Sequence, residues 1–340
     1  MSRPRIALAL ATALALSAVL AACGGGGGKS GESAQTVLEE ATLQGIESGN
    51  VDLALALSAP GSEGGKVALS LAGPFQGEGQ GSLPQLSMTA KAQGRFDGRR
   101  LDFDGGLTLL PNTAYVQYEG TQYEVDPTTY SFVEQTLKQA QREAGAESGA
   151  AGVAGCQEEL GGLKVADFLE NGSNEGSAEV GGTSTTKISG ELNVAGAVES
   201  LVQVLESRAC RSQLAAAGPL PSRAEIEKAE GQVAGAVHKP RVTVYVGEDD
   251  IVRRIAAHLT VEPRRGGTGP KRVTVGFDLK LTGVNEEQTI SAPPNSQSLS
   301  KLFVKLGVNP IELLGILQGE ESGESLGGLL EGLAAGGSGK

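Results

Sequence analysis

The sequence predicts an α+β fold in which an antiparallel sheet of roughly ten strands turns one apolar face toward a set of helices. Three observations predict it. Large apolar residues alternate with small or polar ones in successive segments, as in Val51-Asp52-Leu53-Ala54-Leu55-Ala56-Leu57-Ser58. Glycine- and proline-containing turns join these segments at short intervals, which makes a meander. Segments with helical periodicity stand between or after the strand groups rather than alternating with single strands.

The elements follow in order. Ala34 to Glu47 reads as a short amphipathic helix with Val37, Leu38, Ala41 and Ile46 on its apolar side. After Val51–Ser58, the alternation repeats at Val67, Leu69 and Leu71, and then at Leu86, Met88, Ala90 and Ala92. Leu101, Phe103, Leu107 and Leu109 form a fourth strand against Asp102, Asp104 and Thr108. Thr113–Tyr118 and Gln122–Val125 flank Glu119-Gly120-Thr121 as a hairpin. Asp126-Pro127 is an N-cap followed by proline at the first helical position, predicting a helix to about Glu143. Gly145–Gly155 is a Gly/Ala loop, and Glu158–Glu170 reads as a short helix. Thr185–Val194 is strand-like, with Ile188, Leu192 and Val194 in phase. Ala197–Ala217 is a strong helix carrying Cys210, and Pro219 and Pro221 break it before a further helix from Ser222 to about Val237. The last third returns to strands: Val242–Val246, a turn at Gly247–Asp250, Ile255–Val261 and Val273–Leu281. Leu299–Leu317 reads as a helix broken near Asn309-Pro310.

The N-terminus states where the domain works. Arg3 and Arg5 precede the apolar run Ile6–Leu20, which is too short for a lasting membrane span and suits a secretory signal. Leu20-Ala21-Ala22-Cys23 resembles the bacterial lipobox. That resemblance implies cleavage before Cys23, lipidation of its sulfur and acylation of the new N-terminus. An ordinary signal cut that leaves Cys23 incidental is the alternative. The organisation expected is a signal peptide over 1–22, a flexible Gly-rich tether over 23–33, the domain over 34–317 with a helical insertion around 197–237, and a flexible tail over 318–340. The location is then extracytoplasmic, on the outer face of the cell membrane or facing the periplasm.

Loss of Arg3 and Arg5 with the signal takes the net charge from −12 to −14. An acidic exterior with dispersed charges argues against a nucleic-acid surface. Aromatic residues are 4% of the chain and tryptophan is absent, so stacking platforms for bases or sugars are scarce. Cys156 and Cys210 are the remaining cysteines, and in an oxidising compartment an isolated pair favours a disulfide over a metal or redox site. Closing that loop stabilises by about 4 kcal/mol on chain-entropy grounds. Two buried thiols are the alternative.

The order of parts resembles the mycobacterial LppX/LprG lipoproteins, which are similar in fold to the lipoprotein carrier LolA. The segments that carry the resemblance are Ser48–Leu53, Glu175–Thr183 and Val242–Ile255 with its acidic turn. It implies a strongly curved half-barrel that, with its helices, encloses an apolar cavity for acyl chains or glycolipid. The Gly/Ala loop at 145–155, the stretch Gln203–Val237 and the tail beyond Gln318 depart from that pattern and fall where helices should cover the cavity.

Enzyme signals are weak. His238 and His258 are the only histidines, and both read as solvent-facing. No nucleophile elbow, zinc-protease motif or P-loop occurs. Glu248-Asp249-Asp250 is acidic turn chemistry, and Asn171-Gly172-Ser173 is a loop. Neither a cofactor nor a metal is expected. The functional expectation rests on the apolar face, with Leu55, Leu69, Met88, Ala90, Leu101 and Phe103 from the first meander as cavity residues. Ala257, Leu259, Val275 and Phe277 join them from the last strands. A monomer that carries or presents lipid, working with a membrane transporter or regulator, is the first reading. An envelope sensor that binds a protein partner and a structural lipoprotein with a filled core are the alternatives.

Overall fold

The computed structural model describes residues 29, 31–60, 65–78, 82–96, 99–132, 134–135, 162–207, 210, 223, 226, 236–262 and 272–307. Cys23, Cys156, the loop at 145–155, most of the insertion and the tail from 318 lie outside the described residues.

Twelve strands form one open, curved sheet. The first meander is β1 (Ser48–Ala59), β2 (Gly65–Gln76), β3 (Gln85–Phe96), β4 (Arg99–Leu110), β5 (Thr113–Tyr118) and β6 (Thr121–Glu124). The second is β7 (Leu169–Val180), β8 (Thr183–Leu192), β9 (Val237–Gly247), β10 (Val252–Val261) and β11 (Val273–Thr282). The spatial order is β12-β6-β5-β4-β3-β2-β1-β11-β10-β9-β8-β7, where β12 is the two-residue strand Gln297–Ser298. The two meanders join where β1 pairs with β11, from Asn50 opposite Thr282 to Ser58 opposite Thr274. Every pairing is antiparallel except the parallel one between β12 and β6.

β2 and β3 each carry a glycine whose backbone only glycine tolerates. Gly73 and Gly94 have φ of 152° and 156°, and a Cβ there would lie 1.9 Å from the Ser87 carbonyl oxygen and 2.1 Å from that of Lys66. Such glycines let neighbouring backbones approach closely and mark bends in a strand.

Several expectations are corrected. Of the segment expected as a helix over Glu158–Glu170, residues 162–170 hold only a single 3-10 turn, Val165–Phe168, which leads straight into β7; residues 158–161 lie outside the described residues. β7 carries no strand periodicity, because its sequence, LENGSNEGSAEV, lacks an apolar alternation. Its register shifts near Glu170/Ser173 and Asn174/Ser177 are devices that blunt an edge strand. The first helix, α1, spans Ala34–Glu40 and not Ala34–Glu47. It stops because Thr42 leaves it to bridge Ile251, donating its amide to the Asp250 carbonyl at 2.9 Å and accepting from the Val252 amide at 2.9 Å. A later helix, α2, spans Val194–Glu206, so Val194 opens a helix instead of closing a strand. Asn193 caps it through a side-chain oxygen that accepts from the Gly196 amide at 3.0 Å. The helix α3 spans Leu299–Leu306 and ends at Gly307 in the left-handed region; the rest of the helix expected to Leu317 lies outside the described residues. Of the helix expected from Ser222 to about Val237, Ala236 is in a turn and Val237 opens β9, while 227–235 lie outside the described residues. Asp126 is the N-cap anticipated for residues 127–132 and accepts the Thr129 amide at 3.0 Å.

Two clusters of buried residues lie at opposite ends of the sheet. Val37 and Leu38 of α1 and Val165 pack on Ile188, Val242, Val244 and Val246. Leu299 and Leu302 of α3 pack on Tyr123, with Val116 and Tyr118 beside them.

Candidate ligand-binding face

Side chains alternate across a sheet, so residues in register share a face. One row runs Phe103, Ala92, Leu69, Leu55, Phe277, Ala257, Val242 across β4, β3, β2, β1, β11, β10 and β9. The next row contains Leu101, Gly94, Val67, Leu57, Val275 and Leu259. On the other side lie Gly105, Ala90, Leu71, Leu53, Leu279, Ile255, Val244 and Ile188. Met88 stands opposite Leu107 in the same phase. The structure therefore brings all ten expected cavity residues onto one face.

That face is not covered evenly. At the β8–β10 end α1 and the 3-10 turn bury it, leaving Val37, Ile188 and Val244 at 0% exposure. Ala257 packs against this filled cluster, so it belongs to the core rather than to an open surface. At the β5–β6 end α3 covers it. There the Lys305 ammonium bonds the Glu119 carboxylate at 2.6 Å and sits 5.1 Å over the Tyr118 ring. The Glu119 hydrogen bond raises the Lys305 pKa, and desolvation raises that of the Tyr118 hydroxyl.

Between the two ends the face stays accessible. Leu57, Leu69, Leu71, Phe103 and Leu107 are 36–43% exposed. Beyond Leu86 and Met88, the middle of β3 supplies the small residues Ala90, Ala92 and Gly94 to this face, and Gly105 faces Ala90 from β4. The result is a trough: a floor of small residues on β3, walled by Leu69 and Leu71 on one side and by Phe103 and Leu107 on the other. Leu57, Leu71 and Leu107 were in phase in the sequence, but alternation alone did not mark them out from their buried neighbours.

The opposite face is polar. Lys91 pairs with Asp104 at 3.5 Å, Lys280 with Asp52 at 4.0 Å, and Arg254 with Asp278 through a guanidinium nitrogen at 2.8 Å. A shallow depression of about 600 Å³ on that face is lined by Asp52, Ser70, Lys91 and Lys280, which do not suit a hydrocarbon. Both histidines are exposed, with His238 3.7 Å from Glu262. Among the described residues there is no cluster of three or more metal-ligating side chains, and no helix is long and apolar enough to cross a membrane. Cys210 is fully buried beside Val204 and Leu163.

The class is thus an α+β protein with an open, curved antiparallel sheet, α1 and α3 on one face, and an exposed apolar trough between them. The chain is similar to the lipoprotein LprF from Mycobacterium bovis, with 13% identity over 76% of this chain and 96% of that one and a TM-score of 0.34. It is similar to the Mycobacterium tuberculosis lipoprotein LppX at 11% identity over 76% of this chain and 98% of that one, with a TM-score of 0.29. A LolA superfamily protein from Nitrosomonas europaea aligns at 7% identity over 78% and 96% of the two chains, with a TM-score of 0.17. No family model matches the chain, nor does any curated protein.

Proposed function

We propose that the protein is an extracytoplasmic lipoprotein, anchored through an acylated Cys23, that binds acyl chains or a glycolipid in the trough and carries or presents lipid at the cell envelope. The observation that carries this reading is the uneven cover of one apolar face. In a sheet packed throughout, Leu57, Leu69, Leu71, Phe103 and Leu107 would be as buried as Val242 and Val244, which are 3% and 0% exposed. Hydrocarbon laid along the trough gains about 0.8 kcal/mol per buried methylene and needs no charged partner. The small floor residues leave room for it. The disulfide between Cys156 and Cys210 belongs to the same reading, since it suits an oxidising compartment.

The decisive experiment is a lipid extract, analysed by mass spectrometry, of protein purified without detergent. Stoichiometric co-purified lipid, or uptake of a fluorescent fatty acid that competes with it, is the expected result. A parent protein with neither lipid nor uptake overturns the carrier reading. The anchor is tested separately: the Cys23→Ala variant should no longer float with membranes, and flotation resistant to salt washing would refute anchoring at that sulfur.

A further inference from the structure

Lys29 stands in the glycine-rich segment that separates Cys23 from the first helix, and it is the sole basic residue between Arg5 and Lys66. Composition makes such a segment a loose spacer. The structure instead ties it down at three places. The Lys29 ammonium bonds both the Glu40 carboxylate at the end of α1 and the Asp250 carboxylate in the β9–β10 turn. The Asn174 side-chain amide of β7 donates to the Lys29 carbonyl at 3.1 Å and to the Glu32 carbonyl at 2.9 Å. The Glu32 amide donates back to the Lys29 carbonyl at 3.0 Å. The Lys29 side chain is consequently only 19% exposed.

From this we infer that the β9–β10 turn end of the domain is the surface held against the membrane, with Lys29 as the clamp. The inference rests on the anchoring of Cys23 proposed above. Only Gly24–Gly28 separate Cys23 from the clamp, so a fully extended chain reaches at most about 21 Å. The far end of the sheet lies beyond that reach. Lys66 is level with Ser58, Thr274, Thr260 and His238, roughly 30 Å along the strands from Glu248. With the clamp closed, the turn containing Glu248 faces the bilayer and Lys66 points away from it. With the clamp released, the flexible reach extends to the start of α1 and the orientation relaxes.

The absence of tryptophan makes the test simple. The mature chain, starting at Cys23, is joined to a thioester-bearing phospholipid in phosphatidylcholine vesicles, a reaction specific to an N-terminal cysteine. A single tryptophan is introduced as Glu248→Trp or as Lys66→Trp, and energy transfer to a dansyl headgroup lipid is measured. Transfer from position 248 should exceed that from position 66 at least threefold, and Lys29→Ala should bring the ratio below twofold. Equal transfer from the two positions, or a ratio that Lys29→Ala leaves unchanged, overturns the inference. Because the attachment is supplied chemically, failure of cells to acylate Cys23 would end the lipoprotein reading without moving this ratio, and a flat ratio would leave that reading standing.

Discussion

The ring of Phe103 lies over Gly105, two residues along the same strand, and occupies the space in which a side chain would start: a Cβ on Gly105 would come within 2.5 Å of the Phe103 Cζ. The wall of the trough therefore leans across its floor. Since the conflicting atom is the free end of a ring that is 37% exposed, Gly105→Ala should swing Phe103 outward and change stability by less than about 1 kcal/mol. Gly94→Ala meets the Lys66 carbonyl oxygen at a φ of 156° and should cost roughly 2–3 kcal/mol. Urea titration of both variants checks the contrast, and equal costs would contradict this account of the two glycines.

Tryptophan scanning separates the open part of the face from the filled part. Ala257 packs on the α1 cluster, so Ala257→Trp should overpack a core and destabilise by about 1–3 kcal/mol. Ala90, on the floor, has Gly105 and Leu71 as register neighbours, and Ala90→Trp should fit with little loss of stability while reducing bound lipid. Thermal melts and lipid content are read on the same preparations. Severe destabilisation by Ala90→Trp in a parent free of lipid would favour a filled core.

Asp126 gives a pH dependence with a defined sign. Its carboxylate accepts the Thr129 hydroxyl at 2.6 Å and the Thr129 amide at 3.0 Å, and these bonds hold its pKa below the ordinary carboxylate range. A depressed folded pKa adds stability above the unfolded value of about 3.9 and loses it as pH falls through the folded value. Asp126→Ala should thus cost about 1 kcal/mol at neutral pH, as an N-cap does, and less below pH of about 3. Denaturation curves of parent and variant at both pH values test it, and a pH-independent difference would remove Asp126 as the charged cap.

The pairing of Cys156 with Cys210 predicts that neither thiol is alkylated in the native protein without reductant. Mass analysis of non-reduced tryptic peptides should find the two segments joined. Two alkylated cysteines in native protein would reject the bridge, and burial of Cys210 beside Val204 and Leu163 would then reflect packing alone.

The sequence by itself determined the sheet and its sidedness. Strict alternation in β1 to β4 and in β9 to β11 placed each large apolar residue on one face, because a pleated strand offers no other way to bury them together. Asp126, the hairpin at Glu119-Gly120 and the turn at Gly247–Asp250 were legible for the same local reason: cap and turn chemistry acts within a few residues. Only the tertiary structure decided where α1 ends, since Thr42 leaves the helix for a partner, Ile251, more than two hundred residues away. The same holds for β7, an edge strand whose large apolar residues, Leu169 and Val180, stand only at its two ends and whose middle is held by the ladder of β8. The trough, too, was hidden. Leu57 and Val242 obey the same alternation, yet one is 36% exposed and the other 3%. Periodicity fixes the direction in which a side chain points, but its burial depends on whether α1 or α3 reaches over it, and that is set by contacts between segments far apart in the chain.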